Sequence, residues 1–248
     1  SPVNIGTRSF LIYLIRRRRL SLLQLLGIAC GVAAVIGMIL SARSALSSFS
    51  DAVSFLQGKG THLIERPAGT MDEKILTDLM RDRAVRYLSP VIDRRLRLED
   101  GNLIRVLGID PFLDRQIRPE LLQSPFTQRR GGARERNMGF FLDDRAVFLE
   151  AQLAGQMGIS PGNDIKTSRG LLRVIGTFPN PSGEPLILMD IAHAQEIFEL
   201  PGHVDHVDLI LDDEVDFRRR WETGFRIQSS PERRETFSSM VGAFRLNL

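Results

Sequence analysis

RRRRLSLLQLLGIACGVAAVIGMILSARSALSSFSDAVSFLQGKG, residues 16–60, decides how the rest of the chain is read. Between Leu20 and Ala42 none of the 23 positions is charged. As a helix this run is roughly 34 Å long, against about 30 Å of bilayer hydrocarbon. A removable leader has an apolar stretch of only about 7–15 residues, so residues 20–42 read as a transmembrane helix that stays. Gly27 and Gly31 form a GxxxG with Ala34 one turn on. That spacing lets membrane helices approach closely, so further spans are expected beside it.

Beyond Arg43 the helical pattern continues but changes character. Ala42, Leu46, Phe49, Val53 and Leu56 follow one another at steps of four and three, the seam of a coiled-coil-like helix. Gly58 and Gly60 stop it. A helix from Leu20 to Gln57 would be roughly 57 Å long, so about 25 Å of it would stand above the membrane as a stalk. Such a stripe needs a partner. Phe237, Val241, Phe244 and Leu248 repeat the spacing at the other end of the chain, so the chain is expected to leave the membrane on one stalk helix and return on another.

Charge sets the orientation. The net charge is +3, but Arg8 and Arg16 to Arg19 stand among the first 19 residues with no acid beside them. The rest of the chain is therefore net negative, and the high pI does not mark a nucleic-acid face. Basic residues collect on the cytoplasmic side of membrane segments, which puts residues 1–19 inside and those from about 43 onward outside. The lone Cys30 lies in the anchor, so the outer part must be held by its core alone.

The outer part opens with an α/β rhythm. THLIER (61–66) reads as a strand, and Thr70 with Glu73 as a capping box before a helix that turns Met71, Ile75, Leu76, Leu79 and Met80 inward. Residues 85–99 form a long strand that turns at Asp100-Gly101 and returns through 103–110. Residues 123–138 have the Gly and Arg content of a loop. From about 139 a second pattern runs: AVFL as a strand, EAQLAGQM as a helix, a DIKTS/LLRVIGTF hairpin, the strand EPLILM, and a helix capped by Asp190. VDHVDLIL (204–211) reads as a strand rejoining the first sheet, EVDFRRRWETG as a helix and FRIQSS as the last strand. Ser230 as N-cap and Pro231 at the first helical position are read as launching the return helix.

Candidate chemistry is thin. GISPG (158–162) matches the G-x-S-x-G of serine hydrolases, but a helix precedes Ser160 and a strand follows it, the reverse of a nucleophile elbow. His203, Asp205, His206 and Asp208 look like metal ligands, yet alternate strand residues face opposite sides, so they read as an exposed strand start. His62 and His193 stand alone, and QGKGT (57–61) lacks the pattern of a phosphate loop. No cofactor, catalytic residue or nucleic-acid partner is expected.

In order along the chain, LLQLLGIACGVA, the stalk ending at Gly58, VRYLSPVI, LIRVLGIDP, LAGQMGISPGN, LLRVIGTF, LILMDIAHAQEIF, HVDHVDLIL and AFRLNL resemble the FtsX/MacB-like (lipoprotein-releasing-type) ABC transporter permeases. One departure is Asn163, where that family usually has Asp. The resemblance implies an α+β outer part: a mixed α/β porter-like subdomain (61–114 and 201–230) with an inserted β-rich subdomain (115–200). Before it come the transmembrane helix (20–42) and stalk (43–60), and after it a return stalk (231–248) leading to a second membrane helix, the first of three further spans. It also implies a non-catalytic subunit in the bacterial inner membrane, with a periplasmic outer domain, a separate cytoplasmic ABC ATPase, a second permease copy or paralogue and membrane lipid as partners. Such a subunit is expected to export or extract a hydrophobic or lipid-linked substrate, or to signal across the membrane. The rival expectation is a singly anchored periplasmic binding, sensor or adaptor domain with no ATPase.

Overall fold

A computed structural model of the chain describes residues 22–23, 25–41, 58–122, 140, 143–180 and 184–233. Two compact units are present, Ser1–Phe49 and Ser50–Leu248. In the first, residues 22–23 and 25–41 are helical and exposed throughout. No helix among the described residues is long and apolar enough to cross a membrane. The described continuous run, residues 25–41, is about 26 Å long as a helix.

The second unit is a large mixed sheet with helices packed on it. Its strands are β1 (His62–Glu65), β2 (Met71–Asp72), β3 (Val85–Arg97), β4 (Leu103–Ile109), β5 (Ala146–Glu150), β6 (Asp164–Thr167), β7 (Gly170–Phe178), β8 (Leu186–Asp190), β9 (His203–Val204), β10 (His206–Leu211) and β11 (Arg226–Ser229). Nine of them form one sheet in the order β11-β1-β10-β3-β4-β8-β5-β7-β6, and β2 pairs with β9 apart from it. The helices are α1 (Ile75–Arg81), α2 (Pro111–Asp114), α3 (Ala151–Met157), α4 (Ile191–Ile197) and α5 (Glu214–Trp221).

The reading of residues 204–211 as a strand that rejoins the first sheet holds for His206–Leu211, whereas Val204 pairs with β2 outside that sheet. β10 lies between β1 and β3, antiparallel to both. The β3–β4 hairpin turns at Gly101, whose φ of 88° is in the left-handed region that glycine adopts without strain. The sheet continues through a parallel pairing of β4 with β8. Leu186, Ile187, Leu188 and Met189 of β8 are all buried, which explains why that strand reads as an unbroken apolar run.

Beyond β4 the sheet rolls on itself. The Ser168 amide donates to the Arg97 carbonyl at 2.8 Å, the Glu99 amide donates to the Lys166 carbonyl at 3.1 Å, and Leu98 bridges Thr167. The turn after β6 thus meets the end of β3. The enclosed side is lined from six strands by residues such as Ile92, Val106, Val147, Ile165, Val174 and Ile187. A second cluster, including Ile64, Leu88, Val207 and Leu209, packs beneath α1 and α5 through Leu79 and Phe217. A third, with Val91, Ile109, Leu121, Phe148 and Leu188, lies on the other face.

Two local expectations need correction. Thr70 and Glu73 do not cap α1: Met71–Asp72 pairs with His203–Val204, α1 begins after Lys74 without a side-chain cap, and the Glu73 carboxylate accepts from the Gln195 amide at 2.9 Å. A two-residue strand pairing outweighed the local cap, and Met80 is left exposed. At the other end, Ser229 occupies the cap position read for Ser230. The Glu232 amide donates to Ser229 Oγ at 3.4 Å and the Ser229 amide donates to Glu232 Oε2 at 2.7 Å, the two reciprocal bonds of a capping box. Ser230 is already helical.

Gly108 of β4 marks where α4 lies on the sheet, because a Cβ there would run into the Ala194 methyl and sit 3.3 Å from Ile92 Cβ. Gly108→Ala is expected to lower stability by about 1–3 kcal/mol through overpacking, measured as a lower thermal unfolding midpoint of the purified protein. Gly69→Ala is the wrong control, being at φ 78°, whereas Gly155→Ala meets nothing within 4 Å and is expected to leave the midpoint unchanged or slightly raised.

Candidate functional site

The two ends of the described part of the second unit, residues 58–61 and 229–233, meet at one place. β1 and β11 pair antiparallel with His62 opposite Ser229, so residues 58–61 and 229–233 are neighbours. The Ser230 amide donates to the Thr61 carbonyl at 2.8 Å, and Ser230 Oγ donates to the Gly60 carbonyl at 2.5 Å. Thr61 is fixed in turn by β10: its amide donates to the Leu209 carbonyl at 2.8 Å and its Oγ1 accepts from the Leu211 amide at 3.1 Å. Glu232 is held by Arg218 of α5 at 3.2 Å. Its carboxyl titrates below its usual range, first because the Ser229 amide donates to it.

A turn from the opposite side closes on this junction. Asp110 caps α2, accepting from the Phe112 amide at 2.8 Å, with Pro111 at the first helical position. The chain then turns so that Ile117 and Arg118 are buried. The Lys59 amide donates to the Ile117 carbonyl at 2.6 Å. Gly58 has a φ of 60°, and a Cβ there would strike that same carbonyl oxygen. Only glycine permits this backbone-on-backbone approach.

Charge sits beneath the turn. Asp208 on β10 is 1% exposed, Asp114 is 0% and Arg118 is 3%. Arg118 donates to both carboxylates, through Nη1 to Asp114 and Nη2 to Asp208. Arg233 of the outgoing helix donates to the other oxygen of Asp208 at 3.3 Å, and His206 Nε2 lies 3.7 Å from the oxygen that Arg118 binds. Burial pushes the Asp208 carboxyl up, but Arg118, His206 and Arg233 outweigh burial and hold it well below the usual range. For Asp114 burial wins over Arg118 and the carboxyl is raised. Burial lowers Arg118, yet its two carboxylates leave it raised overall.

The strand start at 203–208 is expected from its alternation to be exposed; His203 is, but Asp205 and His206 are half-buried and Asp208 is buried. Asp205 lies between β9 and β10 and accepts from Arg94 Nη2 at 2.6 Å and from the Asp93 amide at 2.9 Å. Asp208 is buried because α2 and the turn behind it cover its face. His62 is not alone either, since its Nε2 lies 3.2 Å from Glu214. The signals that could have pointed to the network were Asp114 and Arg118 at i,i+4 spacing and a carboxylate inside an apolar strand, which needs a cationic partner when buried.

The other candidates stand as follows. Gly27, Gly31 and Ala34 are exposed on the helix of residues 25–41, and a Cβ at either glycine would meet nothing within 4 Å. The stripe residues Ala42, Leu46, Phe49, Val53 and Leu56, with Phe237, Val241, Phe244 and Leu248, lie outside the described residues, as does the loop of residues 123–138. Ser160 follows α3 and precedes β6, and its amide donates to Asn163 Oδ1 at 2.9 Å. Asn163 thus closes a turn, a bond the Asp usual in the family could also make. Among the described residues no group of three or more His, Cys, Asp or Glu side chains could hold a metal ion.

Asp208→Asn is expected to destabilise the protein by about 3–5 kcal/mol, because it leaves the buried Arg118 and the half-buried Arg233 with one carboxylate between them. The sign with pH follows from the depressed carboxyl. Its contribution is fully present above the unfolded value of about 3.9 and is lost as pH falls through the lower folded value. Denaturant titrations between pH 7 and pH 2 should show that the destabilisation caused by the substitution shrinks below about pH 4.

Residues 21–219 match the model of the MacB-like periplasmic core domain. An uncharacterized ABC transporter permease protein of Mycobacterium tuberculosis is 32% identical over 243 residues, which cover 92% of this chain and 27% of that protein. The chain therefore spans about a quarter of the length of the relative it matches. Among solved structures, the periplasmic region of MacB from Actinobacillus actinomycetemcomitans aligns with a TM-score of 0.50 at 12% identity, over 75% of this chain and 94% of that one. The extracellular domain of the noncanonic ABC-type transporter YknZ from Gram-positive bacteria aligns with a TM-score of 0.48 at 12% identity, over 68% and 99%. The matched residues and the large mixed sheet agree, and the chain belongs to the MacB-like periplasmic core domain family of ABC transporter permeases.

Proposed function

We propose that this chain is the first membrane helix, stalk and outer domain of a bacterial ABC permease subunit. Its work is mechanical. A separate cytoplasmic subunit hydrolyses ATP, paired permeases transmit the resulting movement along their stalks, and the periplasmic domain moves to export or extract a hydrophobic or lipid-linked substrate. On this reading residues 1–19 are cytoplasmic, 20–42 cross the inner membrane and 231–248 return to it.

The observation that carries the reading is the meeting of the two ends of the outer domain, with Ser230 bonded to Gly60 and Thr61. Two stalk helices serving one membrane must begin side by side, and a sheet whose ends emerged apart could not join them. The apolar stripes read at 42–56 and 237–248 continue from these two ends.

The test uses the full-length permease with its ATPase in liposomes. Leu46→Asp and Phe244→Asp each place a charge in a stripe, and each is expected to leave ATP hydrolysis running while nucleotide-driven movement of the outer domain, read by spin-label distances, is lost. Normal movement in both variants would remove the mechanical reading.

A further inference from the structure

Both ends of the outer domain are referenced to one turn. The incoming backbone at Gly58 and Lys59 lies directly on the Ile117 carbonyl. The outgoing helix reaches the same turn through charge, from Arg233 to Asp208 and from Asp208 through Arg118 to Asp114. We infer that this buried network is the point at which displacement of the return stalk enters the outer domain, with Arg233, Asp208, Arg118 and Asp114 as its positioning residues. The inference rests on the mechanical reading above and names the side chains through which the movement passes.

The energetics favour transmission over simple adhesion. Two aspartates and Arg118 are buried together with Arg233 half-buried at their edge, and burying charge costs several kcal/mol per ion before their attraction returns it. Apolar side chains of similar volume commonly hold such a site as well or better. What apolar contacts lack is register. A leucine slides against its neighbours with little loss, whereas a guanidinium held between two carboxylates bonds in one geometry. Withdrawing Arg233 alone would leave the cluster one positive charge short in a low-dielectric interior. Strand β10 and the 114–118 turn therefore follow the return helix as it moves. The connection reaches well into the domain, because β10 pairs with β1 on one side and β3 on the other.

The test again uses the full-length permease with its ATPase in liposomes, reading thermal midpoint, ATP hydrolysis and nucleotide-driven spin-label distances. The combined apolar variant Asp114→Leu, Arg118→Met, Asp208→Leu, Arg233→Met is expected to keep its midpoint and its ATP hydrolysis. Its outer-domain movement per ATP hydrolysed should fall about 10-fold, a coupling loss of ordinary size. Arg233→Met, at the edge of the network, should lose part of that movement, and Arg233→Lys should regain some of it by restoring the charge. Wild-type movement in the apolar variant would overturn the inference. If that variant does not fold, wild-type movement in Arg233→Met overturns it instead. Leu46→Asp is measured alongside. Where it abolishes movement and the network variants do not, the network inference fails and the mechanical reading stands; where Leu46→Asp and Phe244→Asp both move normally, the reading itself fails.

Discussion

Everything at the junction hangs on the pairing of β10 between β1 and β3. Its register sets Leu209 opposite His62 and Leu88, and Asp208 opposite Leu63 and Ser89. That places the Leu209 carbonyl where the Thr61 amide can donate to it and turns the Asp208 carboxylate toward the segment behind α2. A slip of one residue would exchange the two faces. Val207 and Leu209 would then leave the core beneath α1 and α5, and the carboxylate would enter it. Apolar burial on one face and ion pairing on the other thus specify the same register.

The charges are tolerable because each carboxylate has a guanidinium partner, Asp114 in Arg118 and Asp208 in both Arg118 and Arg233. The two carboxylates nevertheless differ. Asp208 is contacted by Arg118 and Arg233, with His206 close by, and is held in the charged form. Asp114 is contacted by Arg118, and burial dominates its titration. The cluster is therefore anchored most firmly on β10, the strand that ties β1 and β11 to the rest of the sheet.

The other end of the unit is organised differently. β3 is 13 residues long, about 43 Å at the usual rise. It starts beside β10 under α1 and α5, and it ends where the turn after β6 closes the rolled part of the sheet. One strand thus contributes to both the junction and the enclosed core. Gly108, which seats α4 against β4, keeps the helix close to the shared β3–β4 hairpin.

The sequence by itself determined most of the elements of the outer unit, because periodicity, turn residues and caps act over a few neighbours. The long strand read at 85–99, the turn at Gly101, the β6–β7 hairpin, the Asp190 cap and the return read at 204–211 were legible this way, the two strands being Val85–Arg97 and His206–Leu211 in the structure. Its strings also carried the family resemblance. Where a tertiary contact competed with a local one, local reading failed, as when β9 drew Met71–Asp72 into a strand; the cap at Ser229 instead came from a second local signal, the capping box with Glu232. Only the tertiary structure decided that Asp114, Arg118, Asp208 and Arg233 form one network and that the ends of the domain meet beside it. The Asp114–Arg118 pair, Asp208 and Arg233 are far apart in the chain, and a buried charge takes its meaning from the partners that the fold brings to it.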